Sequence, residues 1–283
     1  ARPGKEIIGP ADAARLLALA AIWGASFLFM RIAVPTLGPV LTAELRTLIA
    51  GLALVAWLGI PEWRRWGRHY AIVGVLGAAV PFLLWAYAAL SLTAGLLSVL
   101  NATAPMWGAV CSGVLLGERL NPRRVAGLLI GIVGVALVTQ PQGEPHVAAM
   151  AAALVATLCY GLVATYIKRW AADVPSRAMA VGTQLAAGTI LIPFIALWPP
   201  AGTPSAGVAA SILALGLVCG AVAFLLYFRL IADLGATSAL TVTYLIPVFG
   251  VLWGVLFLGE SVSAGMVVGG ALVVLGTIFV LRN

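Results

Sequence analysis

Ionisable side chains are in short supply in this sequence: 9% of its 283 residues are charged, only nine are acidic, and there are two histidines and three cysteines. Each shortage removes a class of chemistry. His69 and His146 fall at loop edges on opposite sides of the expected topology with no acidic cluster beside them. A metal centre or an acid/base pair, which an enzyme embedded in a membrane needs, therefore has no material, and we expect neither enzyme activity nor a cofactor. Cys111, Cys159 and Cys219 lie inside long apolar runs without disulfide or metal spacing and read as small buried hydrophobes. Sustained alternation of apolar and polar residues is missing as well, which excludes the strands of a membrane barrel.

What the chain has in excess is apolar surface, with 63% hydrophobic residues and a mean hydropathy of +1.11. No single soluble core hides that much, so the solvent is lipid. A bilayer core about 30 Å thick calls for roughly 20 apolar residues per helix. Ten such runs are present, at 13 to 35, 39 to 59, 69 to 91, 95 to 116, 121 to 140, 146 to 169, 177 to 198, 207 to 229, 235 to 258 and 262 to 281. The expected fold class is an all-α integral membrane protein with ten transmembrane helices. The first run is too long for a secretory signal and lacks its cleavage site, so it reads as a retained helix.

The net charge of +7 sorts by loop. Fourteen of the sixteen basic residues, from Arg2 and Lys5 through Arg64, Arg65, Arg68, Arg119, Arg123, Arg124 and Lys168 to Arg282, fall on one alternating set of connections and the two termini. Arg31 and Arg46 stand outside that pattern. The positive-inside rule places both termini in the cytoplasm of a bacterial inner membrane, and the basic excess is a topology signal rather than a nucleic-acid footprint.

The chain also repeats itself. At an offset of 142, Phe82 to Trp85 align with Phe224 to Tyr227, Leu92 and Ala94 with Leu234 and Ala236, and Pro105 and Gly108 with Pro247 and Gly250. Leu116-Gly117-Glu118 then aligns with Leu258-Gly259-Glu260, and Gly127 and Gly134 with Gly269 and Gly276. At an offset of 137, Trp23-Gly24 align with Tyr160-Gly161 and Arg31 with Lys168. Two halves result, 13–140 and 146–281, of five helices each. Because five is odd, the second half enters the membrane from the opposite face. That inversion explains why Arg119, Arg123 and Arg124 follow the first Gly-Glu whereas Ser261, Val262 and Ser263 follow the second. Inverted repeats of this kind form alternating-access carriers with a site near the midplane.

The stretches WGASFLFMRIA (23–33) and AELRTLIAGLAL (43–54), the LLGERL and FLGESV helix ends, and the glycine-rich fifth and tenth helices resemble the drug/metabolite transporter superfamily in its duplicated EamA form. The resemblance covers nearly the whole chain. It implies export of small metabolites, and among family members the chain looks most like the YddG-type exporters of aromatic and neutral amino acids. Small multidrug-resistance relatives carry an essential Glu shortly before a glycine of their first helix, where this chain reads Ala20, Ala21, Ile22, Trp23 and Gly24. The expected carrier is therefore a facilitator or a weakly coupled exporter with a largely uncharged central cavity. The alternative cargo is drugs or quaternary ammonium compounds on the same fold.

For the pathway, Ser98, Asn101, Pro105 and Ser112 share one helical face, with Thr243, Tyr244 and Pro247 in the second half. Asn101 fits a substrate contact and equally a helix-helix hydrogen bond worth about 0.6 kcal/mol. Pro105 and Pro247 each delete a backbone bond and are expected to bend their helices at midplane, with packing alone as the competing explanation. Trp23, Phe27, Phe82, Trp85, Tyr160 and Tyr227 lie well inside their runs, where cavity lining and packing compete as explanations. Arg31, Glu44 and Arg46 read as outer-rim charges, either snorkelling, with Arg31 paired to Glu44, or touching a zwitterion. The expected partners are a small-molecule substrate, namely an amino acid, and the bilayer, with oligomeric state open.

Overall fold

The computed structural model describes residues 9–138, 146–235 and 239–281; Arg2, Lys5, Ala236, Arg282 and the end of the first expected repeat lie outside the described residues. Every regular element among them is helical. We label the helices α1 Pro10–Leu58, α2 Trp63–Ala89, α3 Ala94–Leu116, α4 Pro122–Val138, α5 Val147–Trp170, α6 Ser176–Leu197, α7 Ala206–Leu234, α8 Val242–Leu258 and α9 Ala264–Leu281. Seven of the nine are long and apolar enough to cross a membrane.

The 49 residues of α1 do not form one rod. Gly38 adopts φ 75° and ψ 164°, a conformation closed to side-chain-bearing residues, and Pro35 and Pro39 weaken the ladder on either side of it. Arg46 Nη1 lies 3.5 Å from Met30 Sδ, although 16 helical residues would separate them by about 24 Å. Both are equidistant in sequence from Gly38, so α1 folds back there into two antiparallel arms. Trp198 at the end of α6 seals the bend, 3.1 Å from where a Gly38 Cβ would stand.

Local chemistry sets the other breaks. In α3 the helix is interrupted at Ala102–Thr103, just ahead of Pro105, and the Ala102 carbonyl freed there accepts from Thr277 Oγ1 of α9 at 2.8 Å. Pro247, by contrast, sits within a continuous α8, so the expected pair of proline bends is not symmetric. Residues 75–79 of α2 and 214–222 of α7 are wound as π-helix. The repeated Leu-Gly-Glu is a helix stop: Gly117 and Gly259 are left-handed at φ 69° and 64°, closing α3 and α8 and fixing the exit of the glutamate that follows.

Side-chain-free faces lock the helices together. A Cβ on Gly127 would stand 2.6 Å from the Gly276 carbonyl oxygen, and one on Gly134 2.7 Å from that of Gly269. Positions ascend on α4 as they descend on α9, so this contact is antiparallel and backbone-close. The second arm of α1 meets α6 in the same manner, Gly51 against Leu185 and Gly188 against Leu48. Gly24 of α1 packs on Phe249 and Gly250 of α8, while its aligned partner Gly161 of α5 packs on Trp107 and Gly108 of α3. Outward-facing apolar side chains such as Val114, Ile132 and Phe257 are well exposed, which suits lipid and not water.

Candidate functional site

The α1 arms, α2, α3, α5, α6, α7 and α8 surround a cavity of about 960 Å³, near the upper end of the range for small-molecule sites. Trp23, Phe27, Phe82 and Trp85 stand on its wall, as do Asn101, Pro105, Tyr160, Tyr227 and Thr243. The aromatic groups are held by one another. Trp23 lies against Tyr227 with centroids 5.4 Å apart, and Phe27 meets the edge of Trp85 at 5.5 Å. The π-helical segments of α2 and α7 bring Gly77, Cys219 and Gly220 to the same wall, a placement that winding of this type often has at functional sites.

Five candidates stand away from the cavity in this conformation. Ser98 is fully buried, donating to the Gly95 carbonyl at 2.7 Å and directed at the Pro247 carbonyl at 3.5 Å. The close approach of Gly250 turns it out of the stripe that its spacing with Asn101 suggested. Pro247 is buried in that contact and Tyr244 also lies off the wall. Glu44 is buried in the second arm of α1. Arg31 does not pair with it: Arg31 Nη1 donates to the Ala89 carbonyl at 2.9 Å, and Nε lies 3.6 Å from Oε1 of Glu260.

Arg46 departs from the outer-rim expectation. It stands on the cavity wall and not at an outer rim, 8% exposed, with its guanidinium carbon 3.8 Å from the Phe82 ring centroid. The largely uncharged cavity therefore carries one cation on its deep wall among the described residues. Eight residues from the Gly38 bend correspond to about 12 Å of helix, which puts Arg46 deep between the ends.

The two ends differ. At one, the lining reaches Glu118, Arg124, Lys168 and Ser176; Lys168 pairs with Glu118 across the mouth, the two side chains being 61% and 33% exposed. At the other, Glu260 is 9% exposed. Its Oε1 accepts from Ala94 N at 2.8 Å and its Oε2 from Gly95 N at 3.3 Å, capping the start of α3 alongside Thr93. Arg31 approaches the same carboxylate from α1. Glu118 and Glu260 are aligned residues, as are Lys168 and Arg31, so one ion pair occurs twice, each time joining the two halves.

A profile of the EamA-like transporter family matches residues 13–140 and again 147–282. The chain belongs to the EamA-like transporter family. Among similar proteins, the uncharacterized transporter YvbV of Bacillus subtilis is 26% identical over 95% of this chain and 91% of its own length. A probable terminal-alkyne amino-acid exporter of Streptantibioticus cattleyicolor is also 26% identical, over 92% of this chain and 90% of its own. A solved crystal structure superimposes with a TM-score of 0.62 over 95% of this chain and 96% of that one; at 22% identity this speaks to the fold alone.

Within this EamA-like transporter, sequence reasoning overlooked Thr183 and Gln184 of α6, both buried and both on the cavity wall. Thr183 Oγ1 and Gln184 Oε1 have no hydrogen-bond partner among the described residues. The signal was available: an amide inside an apolar run is expensive unless it serves a polar neighbour or a cavity. Ser26 and Met30 were equally missed, because they sit among the apolar residues of α1 with no pattern to separate them.

Proposed function

We propose that this transporter exports small metabolites, with aromatic and other neutral amino acids the best-fitting cargo, by alternating access between two inverted five-helix halves. In this reading the arms of α1 count as two passes, giving ten in all, both termini face the cytoplasm of a bacterial inner membrane, and the chain is not an enzyme. The aromatic wall suits a bulky apolar side group, and the similarity to an amino-acid exporter points the same way. The antiparallel glycine contacts support the inversion.

The observation that carries the proposal is the unequal state of two equivalent ion pairs. Glu260 is withdrawn from solvent and capped onto α3, whereas Glu118 lies at an open mouth. Sequence-equivalent ends in inequivalent states are what a rocking carrier has at one extreme of its cycle. The open mouth is the arginine-rich end, so the state is inward-facing. Among the described residues the acid on the wall is Glu118 at the mouth, which offers proton coupling no deep carrier, and in this reading flux runs downhill.

The test is uptake of labelled phenylalanine, leucine and an organic cation into liposomes holding the purified protein, with and without a pH gradient. Neutral amino acids should equilibrate at similar rates in both conditions. Transport of the cation without the amino acids would overturn the cargo, and no flux of any solute would overturn the carrier reading.

A further inference from the structure

We propose that Arg46 is the anchor for a single carboxylate on the cargo, so that the recognised class is apolar, monovalent carboxylates whether or not they carry an amino group. This rests on the carrier reading above and goes further by naming the chemical group that is selected.

A guanidinium stays protonated in proteins, and a buried charge is costly unless something compensates it. Among the described residues Arg46 has no carboxylate within ion-pair distance. Its partners are the Met30 sulfur at 3.5 Å, a weak acceptor, and the face of Phe82. The Phe82 ring covers one side of the guanidinium, and a planar, bidentate acceptor suits its remaining donors. That geometry and its place on the cavity wall distinguish it from Arg31, which is bound to Glu260 and the Ala89 carbonyl.

The charge state of the ligand follows from counting neighbours. Lys168, another cation on the wall, is held by Glu118 at the mouth. Arg124 belongs to the mouth as well. Deep in the cavity Arg46 is the one cation among the described residues, which matches one negative charge and undersupplies a phosphate dianion. The second half offers no duplicate: at the offset that aligns Gly51 with Gly188, the position of Arg46 is taken by Thr183. Among the described residues the acid on the cavity wall is Glu118 at the mouth, and Glu44, two residues from Arg46, is buried off the wall, so nothing deep in the cavity calls for an ammonium group. Around the anchor the aromatic wall receives the apolar body.

Binding can be measured apart from transport, by quenching of intrinsic tryptophan fluorescence in nanodiscs holding the intact protein. The probes are phenylalanine, 3-phenylpropionate, phenylalanine amide and 2-phenylethylamine. Both carboxylates should bind, with affinities within about threefold of each other, and the amide and amine should be at least tenfold weaker. Arg46→Gln should abolish that preference, and Arg46→Lys should keep part of it, since it retains charge but not the fork. Equal binding of phenylalanine and its amide to the unaltered protein, or an unchanged preference in folded Arg46→Gln, would overturn the proposal. The ligand series needs no variant, so a failure of Arg46→Gln to fold leaves it decisive. Carboxylate-selective binding without liposome flux would instead sink the carrier reading while sustaining the anchor.

Discussion

Replacing Glu260 by Gln should loosen the sealed end while changing almost nothing in shape. The carboxylate accepts from Ala94 N at 2.8 Å and Gly95 N at 3.3 Å and faces Arg31 at 3.6 Å. Hydrogen bonds to a charged group contribute about 1.5–3 kcal/mol against about 0.5–1.5 for neutral ones. The amide keeps one acceptor, so the shorter bond loses about 1 kcal/mol and the longer one, now opposed by an NH₂, about 1 more. The partly exposed pair with Arg31 adds about 0.2–1 kcal/mol. The total is about 2–3 kcal/mol of preference for closure at that end, or about a 30- to 150-fold shift in its open population, at 1.4 kcal/mol per factor of ten. Ser26→Cys supplies a reporter on the cavity wall in a background where Cys111, Cys159 and Cys219 are serine. Intact cells are treated with a membrane-impermeant thiol reagent, and labelling should accelerate strongly in Glu260→Gln. Glu118→Gln breaks only the exposed pair at the open mouth and should change the rate less than about threefold. An unchanged rate in Glu260→Gln, or an equal acceleration in both variants, would refute the assignment of Glu260 as the plug.

Two further outcomes are expected. Gly127→Leu drives a side chain into the Gly276 carbonyl, where even a Cβ has only 2.6 Å, and should lower the unfolding temperature in detergent by more than 5 °C or prevent accumulation; Gly108→Leu, with open space at its Cβ, should be tolerated far better as judged by the same melt. Asn101→Ala and Tyr227→Phe, both on the cavity wall, should reduce liposome flux of a neutral amino acid at least threefold with insertion intact, and flux equal to the parent in both variants would remove them from the pathway.

How far the sequence could be read depended on the range of the interaction. Run length and loop charge are local properties, and they suffice for an all-helical membrane protein, because each helix closes its own backbone hydrogen bonds in lipid. Gly38 could also be foreseen: two prolines and a glycine between apolar runs leave few alternatives to a bend. Trp23 and Tyr160, singled out as aromatics well inside their runs, stand on the wall of one cavity. Ser98 escaped because helical spacing reports which residues share a face, and the face is chosen by a neighbour. Here Gly250, 152 positions away, takes Ser98 out of the stripe. Gln184 escaped because one amide makes no period.

The charged residues show the same limit most sharply. Alignment placed Arg31 opposite Lys168 and Glu118 opposite Glu260, yet gave no sign that each cation would reach across to the glutamate of the other half. Similar depth on either side of the first turn favoured Glu44 for Arg31, whereas the fold supplies a carboxylate from the end of α8 because Gly259 turns the chain towards the start of α3. Crossing partners of this kind couple the halves directly. In the proposed cycle, opening one end separates Arg31 from Glu260, while Lys168 and Glu118 already pair across the exposed mouth. A within-half pair could not serve, since both members would move together and the pair would have the same energy in either state.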